Sequence, residues 1–208
     1  DQIFVYPGAY REHDIVVDKQ ITIKGIRGAA HTRVNAGGLG RCFVLPAGAG
    51  PLRIESLTLK NGRVAGDGVD GFGGAILCGN AEAEIVACTI TQNAAVRGGG
   101  VYLDGSAPLL KNCDIFGNTA EEHGGGVFVS GGDAAIDRCV LARNTAIAHG
   151  GGIFCDNASP AITSCTLGHN AASGHGGGLY FTEGCEAGVS YSIVSSSLVG
   201  EGIYVEGT

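Results

Sequence analysis

Short runs of alternating hydrophobic and polar residues recur at a fixed interval along most of the chain, as at residues 101–103 and 153–155. Side chains alternate with a period of two in a β-strand, and these runs are too short for helices. No stretch with helical spacing connects one run to the next, so each strand can pair only with its own copies in neighbouring repeats. The pattern therefore predicts an all-β solenoid.

Three columns of residues repeat in one register and define the unit. Glycine triplets begin at Gly98, Gly124, Gly150 and Gly176, with the same interval each time. One cysteine and one asparagine per unit recur at that interval or at one position less. These residues are Cys88, Cys113, Cys139 and Cys165, and Asn93, Asn118, Asn144 and Asn170. The repeat predicts a right-handed parallel β-helix, a single-stranded solenoid of about 7–8 coils with about 25–26 residues each.

The alternation also assigns side chains to faces. The cysteines and the aliphatic residues around them are expected inside, on a second strand of each unit, as over residues 162–167. The aromatic residue of each glycine-proximal strand is expected outside, in a column of Tyr102, Phe128, Phe154 and Tyr180. We expect the asparagines at a bend, in left-handed backbone geometry, with amides that bond the coils above and below. The glycine triplets are expected at corners that leave no room for a β-carbon.

Residues 1–208 are predicted to form one domain. Residues 1–60 form irregular N-terminal coils, 61–195 carry the regular repeats, and 196–208 begin a further coil. An insertion over residues 65–72 lengthens one coil. Since no amphipathic helix is expected to cap either end, open strand edges predict end-to-end self-assembly or continuation in a longer solenoid.

Composition narrows the range of partners. The chain has 38 glycines, 5 prolines and 44% hydrophobic residues, which is enough apolar material for a buried core. The net charge is −7 with scattered basic residues, so neither nucleic acid nor an anionic membrane is an expected partner. No stretch approaches the roughly 18 apolar residues that a membrane span needs. A polysaccharide or a protein surface is the expected partner.

Two sets of motifs resemble known families. The segment that contains Val5, Pro7, Gly8 and Tyr10, followed by Ile21, Ile23 and Gly25, resembles the first coil of pectate-lyase-like β-helix proteins. The run from Gly73 to Ile76 resembles the GGA-aliphatic motif in passengers of polymorphic outer-membrane proteins. Their FxxN motif has counterparts such as Ile115 with Asn118, where an aliphatic residue replaces phenylalanine. The resemblance implies a β-helix and an adhesin-like role in a secreted or cell-surface protein.

The residue before each glycine triplet is a candidate binding position. His123, His149 and His175 occupy it in three coils, and Arg97 occupies it one coil earlier. Stacked histidines form a basic stripe that could share a metal ion or respond to pH. The alternative is a polar corner position that repeats with its unit.

Other candidates have similar alternatives. The aromatic column is a candidate sugar-stacking strip, a face covered by another chain, or an inward column. Asp67 and Asp70 in the insertion are candidate calcium ligands, or part of a solvated loop. No other cofactor is expected.

The repeating cysteines are predicted to be buried free thiols. Coils lie about 4.8 Å apart, whereas the β-carbons of a disulfide lie nearer about 3.8 Å. Cys42 and Cys185 fall outside the column and are candidates for exposure.

These observations predict a non-catalytic extracellular or cell-surface β-helix that serves adhesion, glycan binding or structural assembly. The alternative is a pectate-lyase-like carbohydrate-active enzyme, either a polysaccharide lyase or a glycoside hydrolase. That class needs clustered acids and a base, usually supported by long loops, whereas the turns here are short and one insertion stands out. No catalytic residue is assigned.

Overall fold

The structure, a computed structural model, describes residues 1–105, 107–195 and 198–207. Parallel strands recur in every coil and form four sheets along the solenoid axis, three with eight strands and one with four. The eight coils confirm the predicted parallel β-helix. Of the predicted segment 196–208, residues 196, 197 and 208 lie outside the described part.

The sheets are named A to D, and their strands are given in axial order. Sheet A contains Gln2–Val5, Thr22–Gly25, Leu52–Glu55, Ala83–Val86, Leu109–Lys111, Ala135–Asp137, Ala161–Thr163 and Gly188–Ser190. Sheet B contains Gly8–Tyr10, Thr32–Asn35, Thr58–Lys60, Thr89–Thr91, Asp114–Phe116, Val140–Ala142, Thr166–Gly168 and Ile193–Ser195. Sheet C contains Ile15–Val16, Phe43–Leu45, Ile76–Gly79, Val101–Asp104, Val127–Ser130, Ile153–Asp156, Leu179–Phe181 and Ile203–Val205. Sheet D contains Ala94–Arg97, Thr119–His123, Thr145–Ala146 and Ala171–Ala172. One turn of 3-10 helix, Gly68–Gly71, lies in the insertion.

A sharp bend joins sheet A to sheet B, where the sequence pattern predicted one continuous strand. The residue before each repeating cysteine adopts left-handed geometry, as at Ala87 (φ 51°) and Ser164 (φ 55°). This residue turns the chain, and the cysteine that follows points into the lumen. The prediction of a single strand is therefore wrong, because the left-handed residue divides this stretch into two strands. The sequence hides the bend, since the pattern of buried residues continues across it.

The asparagines lie in a buried stack that links successive coils. Nδ2 of Asn144 donates to Oδ1 of Asn170 (3.1 Å) and to the carbonyl oxygen of Ile115 (2.9 Å). Oδ1 of Asn144 accepts from the backbone N–H (3.1 Å) and from Nδ2 (3.0 Å) of Asn118. The expected left-handed geometry belongs instead to the preceding residue, such as Arg143 (φ 55°). The preceding residue therefore makes the bend, and the side-chain amide of the asparagine points inward and is buried.

The glycine triplets form the corner that the sequence predicted. Gly98 has φ +63°, and a β-carbon on Gly99 would lie 2.3 Å from the carbonyl oxygen of Thr119. On Gly100 it would lie 2.6 Å from the carbonyl oxygen of Gly126. Two corners of successive coils thus approach so closely that only glycine fits.

The lumen is filled by aliphatic columns and thiols. The predicted inward residues of sheets A and B, such as Ile85, Ile115 and Leu141, are fully buried. All eight cysteines are free, which confirms the thiol prediction. Cys42 is also fully buried, so its expected exposure is wrong, and Cys185 is half-buried. Burial raises the pKa of Cys42 to about 12, so that thiol stays protonated. Across the described residues, we find no helix with the length and apolarity of a membrane span.

Candidate functional site

The aromatic residues of sheet C form a continuous stack outside the lumen. Parallel pairing places each residue beside its copy in the next coil, so the rings lie one above another. Neighbouring ring centroids are 4.4 to 5.0 Å apart. This aromatic stack consists of Phe72, which lies in the insertion outside sheet C, and of the sheet C residues Tyr102, Phe128, Phe154, Tyr180 and Tyr204.

The aromatic stack points away from the lumen but is not exposed. Its four central side chains, Tyr102, Phe128, Phe154 and Tyr180, are at most 6% accessible. Each ring face is covered by the next ring, and the rings form a cluster separate from the main core. The interpretation as an exposed sugar-stacking strip is therefore wrong, because no ring face in the middle of the stack is available to a sugar.

A second column runs beside the first at the glycine corner. We call it the corner column, and its members are Arg97, His123, His149 and His175. The imidazoles stack on one another with centroids 5.4 and 5.6 Å apart and planes within 9°. Arg97 and His123 are the last residues of strands in sheet D, and in all four coils the next residue is a glycine with positive φ.

The corner column covers the aromatic stack with an offset of one coil. His123 stacks on Phe154 at 4.5 Å between centroids, and His149 stacks on Tyr180 at 4.7 Å. Arg97 lies over Phe128 in the same way, with its guanidinium carbon 5.9 Å from the ring centroid. Each basic residue therefore joins two coils through ring contacts as well as through the backbone.

Carboxylates pair with the two ends of the corner column. Nε of Arg97 donates to Oε2 of Glu122 at 2.6 Å. Nδ1 of His175 lies 3.2 Å from Oε2 of Glu201. Among the described residues, no carboxylate lies within ion-pair distance of His123 or His149. In the described part of the chain, the two central histidines therefore lack the carboxylate partner that the ends of the column have.

The two central histidines also differ in their hydrogen bonds. Nδ1 of His149 accepts from the backbone N–H of His175 at 2.9 Å. Nδ1 of His123 is buried, with no partner in the described part of the chain. Burial, and next the charge of His149, lower the pKa of His123. Burial, and next the charge of His175, lower the pKa of His149. Both side chains are therefore held more strongly in the neutral form than a free histidine.

The geometry does not suit a metal ion shared by neighbouring histidines. Parallel rings with centroids 5.4 Å apart hold equivalent nitrogens at a similar separation. A metal bonded to both would need them within about 4.2 Å, twice the usual metal–nitrogen distance. Within the described ranges, no three histidine, cysteine, aspartate or glutamate side chains converge as metal ligands do.

The insertion is also a poor match for calcium. Asp67 and Asp70 are exposed; Asp67 immediately precedes the 3-10 turn, and Asp70 lies within it. The guanidinium of Arg41 donates to the carbonyl oxygens of Val69 (3.0 Å) and Asp70 (2.8 Å). The positive charge of the Arg41 guanidinium lies against the turn, so it disfavours calcium binding there.

Sequence reasoning missed four residues of the site. Phe72 precedes Gly73 as His123 precedes Gly124, but its ring joins the aromatic stack. Tyr204 pairs in register with Tyr180, although the interval between them is shorter than in the regular coils. Glu122 and Glu201 gave no repeating signal, because each occurs in one coil only.

A family profile described as "Right handed beta helix region" matches residues 22–207. The chain therefore belongs to the right-handed β-helix family, and the predicted handedness is confirmed. No curated protein and no solved structure matched the chain.

Proposed function

We propose that this chain is a non-catalytic β-helix of the cell surface or extracellular space that serves structural assembly. In this proposal, its outermost coils stack on further coils, which belong either to a second copy or to a longer solenoid. The repeat motifs that resemble outer-membrane passengers support the location. The exposure of residues that belong to the core columns supports assembly, and this single observation carries the proposal.

The columns of aliphatic residues that fill the lumen end in exposed side chains at both outermost coils. Ile162 is fully buried, whereas Val189, its partner in register, is 41% exposed. Leu179 is fully buried, and its partner Ile203 is 47% exposed. At the opposite end, Ile3 is 48% exposed. Covering such side chains is favourable by about 25 cal/mol per Å² of apolar surface, so a further coil at either end gains stability.

The outermost strands also present backbone groups to a partner. In the described part of the chain, Gln2–Val5 and Gly8–Tyr10 pair with a neighbouring strand on one side only. Gly188–Ser190 and Ile193–Ser195 do so at the other end. Open edges of this kind are templates for strand pairing. The edges at the two ends face opposite ways along the axis, which favours head-to-tail contacts.

Sedimentation velocity across a concentration series tests the proposal. We expect the protein to associate with rising concentration and Ile203→Asp to suppress association. Phe116→Asp is the matched control, because Phe116 is 41% exposed but lies in the middle of sheet B. A monomer at all concentrations, or equal effects of the two substitutions in folded protein, contradicts assembly through the ends.

A further inference from the structure

We propose that His123 and His149 form a binding site for carboxylate side chains of an acidic protein segment. The site lies on the side of the solenoid, away from the outermost coils, and is independent of the assembly proposed above. Its walls are the corner column and the edges of the aromatic stack beneath it.

The corner column already binds carboxylates at both of its ends. Glu122 pairs with Arg97, and Glu201 pairs with His175. The two histidines between them have the same backbone position and the same ring support but no carboxylate partner among the described residues. Because both ends of the column pair with a glutamate carboxylate, we infer that a carboxylate is also the ligand of the two central histidines.

The spacing of the rings suits a bridging carboxylate. Each carboxylate oxygen accepts a charged N–H donor at about 2.7–2.9 Å. Because a carboxylate has two oxygens, it can span donors on neighbouring rings whose centroids are 5.4 Å apart. The same spacing is too wide for one metal ion, so it favours an anion over a metal.

Other charged groups around the site set its pH dependence. Arg97 and His175 lie in the same column, and their charge opposes protonation of the central pair. Glu122 and Asp156 favour protonation of His123, and Glu206 favours protonation of His149. Burial opposes protonation and is the largest influence on both histidines. A bound carboxylate favours the protonated form of both histidines, so binding takes up protons and strengthens as the pH falls.

Binding of poly-L-glutamate to the intact chain, measured by calorimetry at pH 5.5 and pH 8.0, tests the site. We expect binding at pH 5.5 and affinity at least about tenfold weaker at pH 8.0, the loss of one charged hydrogen bond. His149→Gln keeps a polar side chain but cannot become charged, so it should weaken binding at pH 5.5 by about tenfold. His31→Gln is the matched control, because His31 is exposed on another face and should leave binding unchanged.

Three outcomes would overturn the inference. They are no binding of poly-L-glutamate at pH 5.5, affinity independent of pH, and equal affinity of wild type and His149→Gln. His123→Gln provides a second test of the column if His149→Gln does not fold. Dextran sulfate is measured in parallel, and tighter binding that is lost in His149→Gln would assign the site to a sulfated polysaccharide instead of an acidic protein segment.

Discussion

Replacing Asn144 by leucine tests whether the buried asparagine stack holds the coils together. The substitution keeps a side chain that branches at the same carbon, with a larger volume, but removes every hydrogen bond of the side chain. Asn144 donates to Ile115 and Asn170 and accepts twice from Asn118, at distances of 2.9 to 3.1 Å. All three of these asparagines are at most 1% exposed, so water cannot replace the lost partners.

The magnitude follows from the groups left without partners. The backbone N–H of Asn118 loses its acceptor, whereas its amide keeps the carbonyl oxygen of Ile90 and Oδ1 of Asn170 keeps the backbone N–H of Asn144. The N–H without a partner costs about 1–3 kcal/mol, and each of the three other lost hydrogen bonds costs about 0.5–1.5 kcal/mol. Leucine recovers part of this through its apolar contacts, so we expect the free energy of unfolding to fall by about 3–5 kcal/mol.

Urea denaturation followed by circular dichroism measures this change. Thr145→Val is the control, because Thr145 is the next residue and its side chain is exposed, so it should change stability by less than about 0.5 kcal/mol. A loss below about 1 kcal/mol for Asn144→Leu would refute the reasoning, since it would mean that the stack contributes no more than one ordinary hydrogen bond.

Three further predictions concern the corner, the histidines and the thiols. Gly99→Ala should lower the free energy of unfolding by at least about 2 kcal/mol, because its β-carbon would lie 2.3 Å from a carbonyl oxygen. Gly188→Ala is the control in the same urea titration and should be neutral, since its β-carbon would have no atom within 4 Å. The lowered pKa values of His123 and His149 make the unfolded state bind more protons below about pH 6.5, so stability present at higher pH is lost as the pH falls. The melting temperature should therefore drop between pH 7.5 and 5.5, and a smaller drop in His149→Gln would identify the histidine contribution, while an equal drop would exclude it. An aromatic disulfide reagent should react first with Cys185 in the native protein and with all eight cysteines in denaturant, and prior reaction elsewhere would contradict the buried core.

The repeat made the fold predictable from sequence. Parallel register converts a fixed interval along the chain into a column in space, so the positions of Cys113, Asn118 and Gly124 followed from spacing alone. The same logic placed His123 above Arg97 and Tyr102 below Phe128. The alternation also predicted which side chains of sheets A and B fill the lumen, because it distinguishes the two faces of a strand.

Features that depend on contacts between columns were not predictable. His123 covers Phe154, which belongs to the next coil, and no interval in the sequence marks an offset of one coil between two columns. The exposed aromatic strip was therefore a wrong expectation. The bend at Ser164 was missed for a related reason, since its left-handed backbone leaves the pattern of buried side chains unbroken.

The constant interval between glycine triplets has a consequence for how such a chain can change in length. Removing residues 124–149 would bring Gly150 to the place of Gly124, with an asparagine, a cysteine, an aromatic ring and a histidine each meeting an equivalent neighbour. The molecule would shorten by one rise of about 4.8 Å, and each remaining coil would keep the same kinds of contact. A deletion longer or shorter than this by a single residue would instead misalign the columns at the junction. Duplication or deletion of one whole repeat can therefore change the length of this protein without changes in the sequence of the other coils.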